Sequence, residues 1–193
     1  MNFVAHQLLS FKNPEIQIGN LYGEVVRGKD FENFEGDRQK GILLHRTIDT
    51  FTDEHDVVKK STQKFHERYG KYSPVIVDVL YDYILISNWE KFSDEPYSEF
   101  VSKCYDLFRK HFDEFPSDLK FMVKHLLKHD WFGNYASIEG IQQTLKGISQ
   151  RSKFENNIST AVEEMILYKE ELESEFMEFF PEMISHCKTF INS

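Results

Sequence analysis

The sequence predicts an all-α protein, a single-domain helical bundle that spans residues 1–193. Apolar side chains recur every three or four residues along most of the chain, which is the period of one helix face. Helix-entry residues separate these stretches, and no stretch shows the alternation of a strand or the dipeptide of a hairpin. No internal repeat or long linker divides the chain. We therefore expect one bundle around one hydrophobic core.

The first five predicted helices lie between residues 2 and 91. Ser73 followed by Pro74 is typical of an N-cap and the first helical residue, and it marks the start of the fifth helix. The β-branched run at 75–77 favours a strand when taken alone, but the apolar residues that follow it at helical spacing favour a helix. The predicted ranges are 2–11, 15–27, 34–54, 56–69 and 74–91.

The remaining predicted helices cover 96–113, 117–129, 137–149 and 153–190. Proline-containing entries precede the first two, at Pro96 and Pro116, and Ser152 with Glu155 matches a capping box before the last. The last segment carries one apolar stripe, and we expect Pro181 to bend or interrupt it. The stripe consists of Ile158, Ala161, Val162, Met165, Leu172, Phe176, Phe179, Met183 and Cys187.

Composition and charge exclude several classes of function. The formal net charge is −9, so general binding to nucleic acid or to an anionic membrane is not expected. No apolar stretch approaches the roughly 20 residues of a transmembrane helix, and the start of the chain lacks the basic segment of a signal peptide, so we expect a cytoplasmic location. Cys104 and Cys187 are the only cysteines, and they form neither a disulfide framework nor a C-x-x-C motif.

Residues 42–56 carry the pattern most suggestive of chemistry. His45, Asp49 and Asp53 follow one another at intervals of four, so each adjacent pair shares a helix face and can bind one cation. The residues between them are largely apolar, and charged groups on a buried helix are costly unless they are paired or bound to metal. The pattern leaves open a second interpretation, a surface His–Asp pair with Asp53 capping the next helix.

Further polar residues lie in apolar surroundings on other predicted helices. Asp78 and Asp82 are four apart, and a divalent ion or an arginine such as Arg46 would keep them ionised if they are buried. His6, Asn20 and Glu24 also occupy helical spacings among apolar residues, although a lone histidine in such a place is more often a hydrogen-bonded core residue. Together these groups favour a metal site inside the bundle.

Six segments resemble the acyl carrier protein phosphodiesterase family, also called acyl carrier protein hydrolase. They occur in order over nearly the whole chain, and the G-I-x-L-H-R-x-I-D-x-F-T-D stretch is specific. The segments are MNFVAH at the start, IGNLYGEVVRG at 18–28, GILLHRTIDTFTDEH at 41–55, VIVDVLYDYILISNW at 75–89, and the later DWFGNY with GIQQTLKGISQR.

The resemblance implies an all-α fold similar to HD-domain phosphohydrolases and an activity that removes the 4'-phosphopantetheine arm from holo acyl carrier protein. The family requires a divalent ion, typically manganese, with magnesium as an alternative. The implied metal ligands are drawn from His6, Glu24, His45, Asp49, Asp78 and Asp82. The implied catalytic residues are Asp49, Asp53, Arg46 and Asp82, and the candidate substrate-binding residues are Arg27, Lys29 and Asn20.

Two positions depart from the family pattern. Glu24 stands where the family usually has Asp, and Tyr83 stands where it usually has His after Asp82. Neutral tyrosine is a poor ligand for manganese and does not shuttle protons near pH 7. Tyr83 favours one alternative function, that of a non-catalytic homologue that binds the carrier. The other alternative is an HD-like phosphohydrolase that acts on nucleotides or other small phosphoesters.

An acidic acyl carrier protein as substrate requires a basic face on this acidic chain. Three sets of basic residues are candidates, and they include the series Lys120, Lys124 and Lys128 at helical spacing. A solvated helix face explains the same series. The other sets are Arg27 with Lys29, and Lys59 with Lys60. The sequence does not indicate an oligomeric state.

Overall fold

Helices form the whole architecture of the computed structural model, which describes residues 1–193, and no strand is present. The all-α prediction is confirmed, whereas the likeness to HD-domain proteins stays a prediction. The α-helices are α1 Phe3–Leu8, α2 Pro14–Tyr22, α3 Gly36–Glu54, α4 Asp56–Tyr69, α5 Ser73–Ser87, α6 Tyr97–Lys110, α7 Ser117–Lys128, α8 Trp131–Asn134, α9 Ile138–Arg151, α10 Val162–Leu167 and α11 Lys169–Asn192.

Most helix boundaries lie close to the predicted ones, with two larger differences. The second helix ends at Tyr22 instead of continuing to residue 27, and the chain after it forms a loop. The segment predicted as one helix over 153–190 is divided into α10 and α11, after an irregular stretch and a 3-10 turn at Ile158–Thr160. Pro181 lies inside α11 and does not interrupt it, while a bend at this residue stays a prediction.

Helices α2 and α3 pack closely because glycines face each other across the contact. A Cβ atom on Gly19 would lie 2.1 Å from the carbonyl oxygen of Arg38, and one on Gly41 would lie 2.3 Å from the carbonyl oxygen of Ile16. No larger residue fits at either position without moving the backbone. This contact brings the side chains of the two helices within hydrogen-bonding reach of each other.

One hydrophobic core of 45 buried residues extends from Met1 to Cys187 and draws on helices from both ends of the chain. Aromatic side chains form its centre, where Tyr81 on α5 packs edge-on against Phe176 on α11. A single continuous core is consistent with the predicted single domain. No helix combines the length and the apolar character needed to cross a membrane.

A buried polar cluster lies between α4, α5 and α11, and we call it the Glu175 cluster. The Ser61 hydroxyl donates to Glu175 Oε2 at 2.6 Å, and the Tyr81 hydroxyl lies 2.7 Å from Ser61 Oγ. Lys60 and Lys64 lie 3.3 and 3.0 Å from Glu175 Oε1. Although burial alone would raise the pKa of Glu175, the hydrogen bonds from Ser61 and Lys64 hold it below its usual value.

Candidate metal centre

Four side chains from three helices meet beside the α2–α3 contact, and we call them the histidine cluster. They are His6 on α1, Asn20 on α2, and His45 and Asp49 on α3. The predicted spacing of four places His45 and Asp49 on the same face of α3. Gly23 lets the loop after α2 pass the imidazole of His45, since a Cβ there would lie 2.3 Å from His45 Cγ.

The two imidazoles face the same carboxylate. His6 Nε2 lies 3.2 Å from Asp49 Oδ1, and His45 Nε2 lies 3.3 Å from Asp49 Oδ2. The ring centroids are 4.3 Å apart. One ligand atom from each of His6, His45 and Asp49 lies within 4.8 Å of the others, which is close enough for one ion to contact all three.

Asn20 determines which nitrogen of each imidazole carries a proton. Its Nδ2 donates to the carbonyl oxygen of His6 at 3.0 Å and to Ser10 Oγ at 3.2 Å, so its Oδ1 must be the atom that faces the rings. That oxygen lies 2.9 Å from His6 Nδ1 and 3.0 Å from His45 Nδ1. Because an amide oxygen only accepts hydrogen bonds, both Nδ1 atoms are donors.

The consequence appears at the opposite edge of each ring. In a neutral imidazole with its proton on Nδ1, Nε2 carries a lone pair, and here both Nε2 atoms point at carboxylate oxygens that also carry lone pairs. Two acceptors at hydrogen-bond distance repel each other unless a cation lies between them. A proton can fill that place at one ring, and a metal ion can fill it at both rings together.

The electrostatics favour the metal ion at His45. Burial, followed by the proximity of His6, lowers the pKa of His45 to about 3, so this ring is neutral near pH 7. Burial alone would raise the pKa of Asp49, but a protonated His6, through its hydrogen bond and its charge, holds it below its usual value. A neutral imidazole beside an ionised carboxylate is the protonation state that metal binding requires.

Three of the six predicted metal ligands lie outside this group of ligand atoms. Asp82 is fully buried, and its two carboxylate oxygens accept from the backbone N–H groups of Val4 and Ala5 at 2.8 and 3.3 Å. It therefore caps the start of α1. Burial raises the pKa of Asp82 to about 6. Asp78 pairs instead with the amino group of Met1, 2.8 Å away.

Glu24 is the third of these residues, and it is half-buried in the loop after α2. Burial raises the pKa of its carboxyl group, with a further contribution from the charge of Asp49, while His6 acts in the opposite direction. The charges of the histidine cluster therefore act on Glu24 although it is not a member of the group within 4.8 Å.

Arg46 contacts backbone oxygens and pairs with neither Asp78 nor Asp82. Its guanidinium donates to the carbonyl oxygens of Gly28 at 2.8 Å and Val26 at 3.3 Å, and it lies over the ring of Phe31. The alternative in which Arg46 pairs with a buried aspartate is therefore wrong. The arginine holds the loop that follows α2.

The other candidate residues are distributed around the cluster. Asp53 is exposed one turn beyond Asp49, and burial together with the charge of Asp78 raises its pKa. Arg27 and Lys29 are exposed on the loop after α2. Asn20 was expected to bind substrate, but it is fully buried behind the imidazoles and all its bonds go to protein groups.

Sequence reasoning missed two residues that support the histidine cluster. Ser10 completes the orientation of Asn20 by accepting from its amide, and Gly23 makes room for His45. The helical spacing of Ser10 from His6 could have indicated the role of Ser10. No comparable signal exists for Gly23, because a glycine in a loop is not specific to any site. Tyr83 is half-buried and packs against the hydrophobic core, outside the histidine cluster.

Comparisons with known proteins agree on one family. Residues 1–183 match the profile described as acyl carrier protein phosphodiesterase. A protein of that name from Enterobacter sp. (strain 638) is 28% identical over 189 residues, which cover 97% of this chain and 98% of the relative. A protein of the same name from Escherichia coli (strain K12 / DH10B) is 28% identical and covers 97% of each chain. No solved structure matches the chain significantly.

Proposed function

The chain belongs to the acyl carrier protein phosphodiesterase family and is a hydrolase, and we propose that it removes the 4'-phosphopantetheine arm from holo acyl carrier protein with the aid of a divalent metal ion. The bond to be cleaved is the phosphodiester that joins the arm to a serine of the carrier. The products are the apo carrier, whose serine oxygen takes up a proton, and free 4'-phosphopantetheine, which keeps the phosphate. Manganese is the proposed ion, with magnesium as the alternative.

The observation that supports the metal ion is the pairing of acceptors with acceptors in the histidine cluster. Asn20 directs both Nδ1 protons toward itself, and Asp49 then faces two Nε2 lone pairs at 3.2 and 3.3 Å. His6, His45 and Asp49 would hold the ion. A set of two imidazoles and one carboxylate suits manganese, and it leaves room for ligands from water and substrate.

A divalent ion bound there supplies a Lewis acid that polarises the phosphoryl oxygens and lowers the pKa of water for attack on phosphorus. Asn20 keeps both imidazoles in the tautomer that presents Nε2, and Ser10 keeps the Asn20 amide from rotating. Asp82 supports the same geometry from behind because it fixes the start of α1, which carries His6.

We propose that Glu24 accepts the proton that the attacking water loses. Its carboxylate lies outside the group of metal ligands, and the charges of His6 and Asp49 both act on it. Its raised pKa favours proton uptake nearer to neutral pH than an ordinary glutamate allows. Arg27 and Lys29 are exposed on the same loop and are placed to bind the phosphate, while Arg46 holds that loop through its carbonyl oxygens.

Incubation of the purified protein with holo acyl carrier protein tests the proposal, with Mn²⁺, with Mg²⁺ and with a chelator in parallel. Intact mass of the carrier reports loss of the arm. We expect conversion to the apo form with metal and none with chelator. A His45→Gln variant, which keeps a polar side chain of similar size, should lose the conversion and retain its fold by circular dichroism.

Three results would contradict parts of the proposal. Full conversion in the presence of chelator would reject the metal ion. An intact carrier together with metal-dependent turnover of a small phosphodiester such as bis(p-nitrophenyl) phosphate would reject the carrier as substrate. Metal uptake without any hydrolysis would indicate a binding protein.

A further inference from the structure

Helix α7 presents a basic and aromatic face that the proposed reaction does not use. No acidic residue occurs between Asp118 and Asp130, although the whole chain carries 32 acidic and 23 basic residues. Phe121 is 68% exposed, which is unusual for a large apolar side chain. We call the face formed by Phe121, Lys124, His125, Lys128 and His129 the α7 surface.

The aromatic rings of the α7 surface lie next to one another along the helix. The Phe121 and His125 ring centroids are 4.5 Å apart, and those of His125 and His129 are 5.7 Å apart with nearly parallel planes. The interval of four residues between them places all three on one side of α7. They form a continuous strip, with Lys124 and Lys128 exposed beside it.

The lysines of the α7 surface have no acidic partner. No carboxylate oxygen lies within 4.0 Å of the ammonium group of Lys124 or Lys128. The lysines of α4 differ, because Lys59, Lys60 and Lys64 each have a carboxylate of the same chain within that distance. The positive charge of α7 is therefore available to a partner, whereas that of α4 is neutralised within the fold.

Both ends of α7 are fixed to the helices that carry the histidine cluster. Phe115, just before α7, packs edge-on against Tyr22 of α2 with centroids 5.6 Å apart. Trp131, just after it, packs against Phe3 of α1 at 5.4 Å. Since α1 carries His6 and α2 carries Asn20, α7 has a fixed position relative to the site. A protein bound to α7 would be held in a defined orientation toward that site.

We propose that the α7 surface is the docking site of the acyl carrier protein, an inference that rests on the proposed function. The charges are complementary, since an acidic carrier is repelled by the net charge of −9 and attracted by the unpaired lysines of α7. Phe121 supplies an apolar anchor that packs against the carrier. Lys124 and Lys128 pair with carboxylates of the carrier around this contact.

Binding of the apo acyl carrier protein tests the inference without any need for turnover. The variants are the charge reversal Lys124→Glu/Lys128→Glu and, separately, Phe121→Ser. The matched control is Lys146→Glu/Lys169→Glu, which makes the same change in net charge at exposed lysines of α9 and α11 that have no ion pair either. All five substituted side chains are exposed, so the fold should be retained, and circular dichroism checks this.

We expect the dissociation constant, measured by calorimetry, to rise at least about tenfold for the α7 charge reversal and about tenfold for Phe121→Ser, equivalent to about 1.4 kcal/mol. The control should change it by less than about threefold. In the hydrolysis assay the KM for holo carrier should rise by a similar factor, with kcat nearly unchanged and turnover of bis(p-nitrophenyl) phosphate unaffected.

Wild-type affinity for the apo carrier in both α7 variants would overturn the inference. An equal loss in the control would also overturn it, because net charge alone would then explain the effect. The docking inference and the proposed function can fail separately. If the wild type binds the carrier without releasing its arm, and the α7 variants bind it more weakly, docking is supported and hydrolysis is rejected.

Discussion

The protein contains two partly buried polar clusters that differ in how donors and acceptors are matched. In the Glu175 cluster every acceptor faces a donor, since the carboxylate receives the Ser61 hydroxyl and two lysine ammonium groups. In the histidine cluster the Asp49 carboxylate faces two imidazole nitrogens whose protons are directed to Asn20 on the far side. The first cluster is complete without a ligand, whereas the second could hold a metal ion.

The difference shows that burial of charged side chains does not by itself indicate a functional site. Both clusters place a carboxylate among buried groups, and in both the pKa of that carboxyl group is held below its usual value. The two clusters differ in whether a donated proton is available for each carboxylate oxygen. A matched network stabilises the fold, and a network short of a cation is prepared to bind one.

The largest expected difference between the clusters is catalytic. Asp49→Asn removes the negative charge of the proposed metal site, and we expect hydrolysis of the holo carrier to fall more than about 100-fold, beyond the loss typical of an outer-shell residue. Glu175→Gln should change the rate by less than about threefold. Equal losses of activity in the two variants, measured by intact mass of the carrier, would contradict a catalytic difference between the two clusters.

Metal-dependent stability is the next effect. At a Mn²⁺ concentration about 100 times the dissociation constant, the free energy of unfolding of the wild type should rise by about 2.7 kcal/mol, because the ion binds the folded state alone. Glu175→Gln should show the same increase in a urea titration. Asp49→Asn should show almost none, and an increase as large as that of the wild type would place the ion elsewhere.

Asn20→Ala separates the positioning of the imidazoles from the binding of the ion. Without Asn20 Oδ1 the two rings lose the acceptor that selects their tautomer, and we expect the affinity for Mn²⁺ to fall about 10- to 100-fold by calorimetry. Addition of excess Mn²⁺ should then restore part of the hydrolysis, which it cannot do for Asp49→Asn. Unaltered affinity would show that the tautomer is determined by another group.

The smallest effect sharpens the view that the Glu175 cluster is structural. Glu175→Gln removes the charge that pairs with Lys64 and replaces an acceptor oxygen by a donor, so we expect a loss of about 1–2 kcal/mol in the free energy of unfolding. Ser61→Ala, which leaves the Tyr81 hydroxyl without its partner, should cost about 1 kcal/mol. Urea denaturation with chelator present measures both, and no loss in either variant would contradict a stabilising role.

Helical periodicity in the sequence predicted the all-α class and most helix boundaries, because each helix buries one face and its apolar residues must recur at that period. The same spacing predicted that His45 and Asp49 share a face of α3, a local relation that four residues of helix impose. Family resemblance, carried by the segments around them, is confirmed by the match over residues 1–183.

The tertiary structure alone decided which polar faces meet. Asp78 and Asp82 have the same spacing as His45 and Asp49, yet Asp82 caps α1 and Asp78 pairs with the amino group of Met1. Asn20 reaches His45 because Gly19 and Gly41 allow α2 and α3 to touch. Periodicity specifies the direction in which a side chain leaves its own helix. The distance between two helices depends on packing at residues far apart in sequence, and that distance determines whether two polar groups form one site.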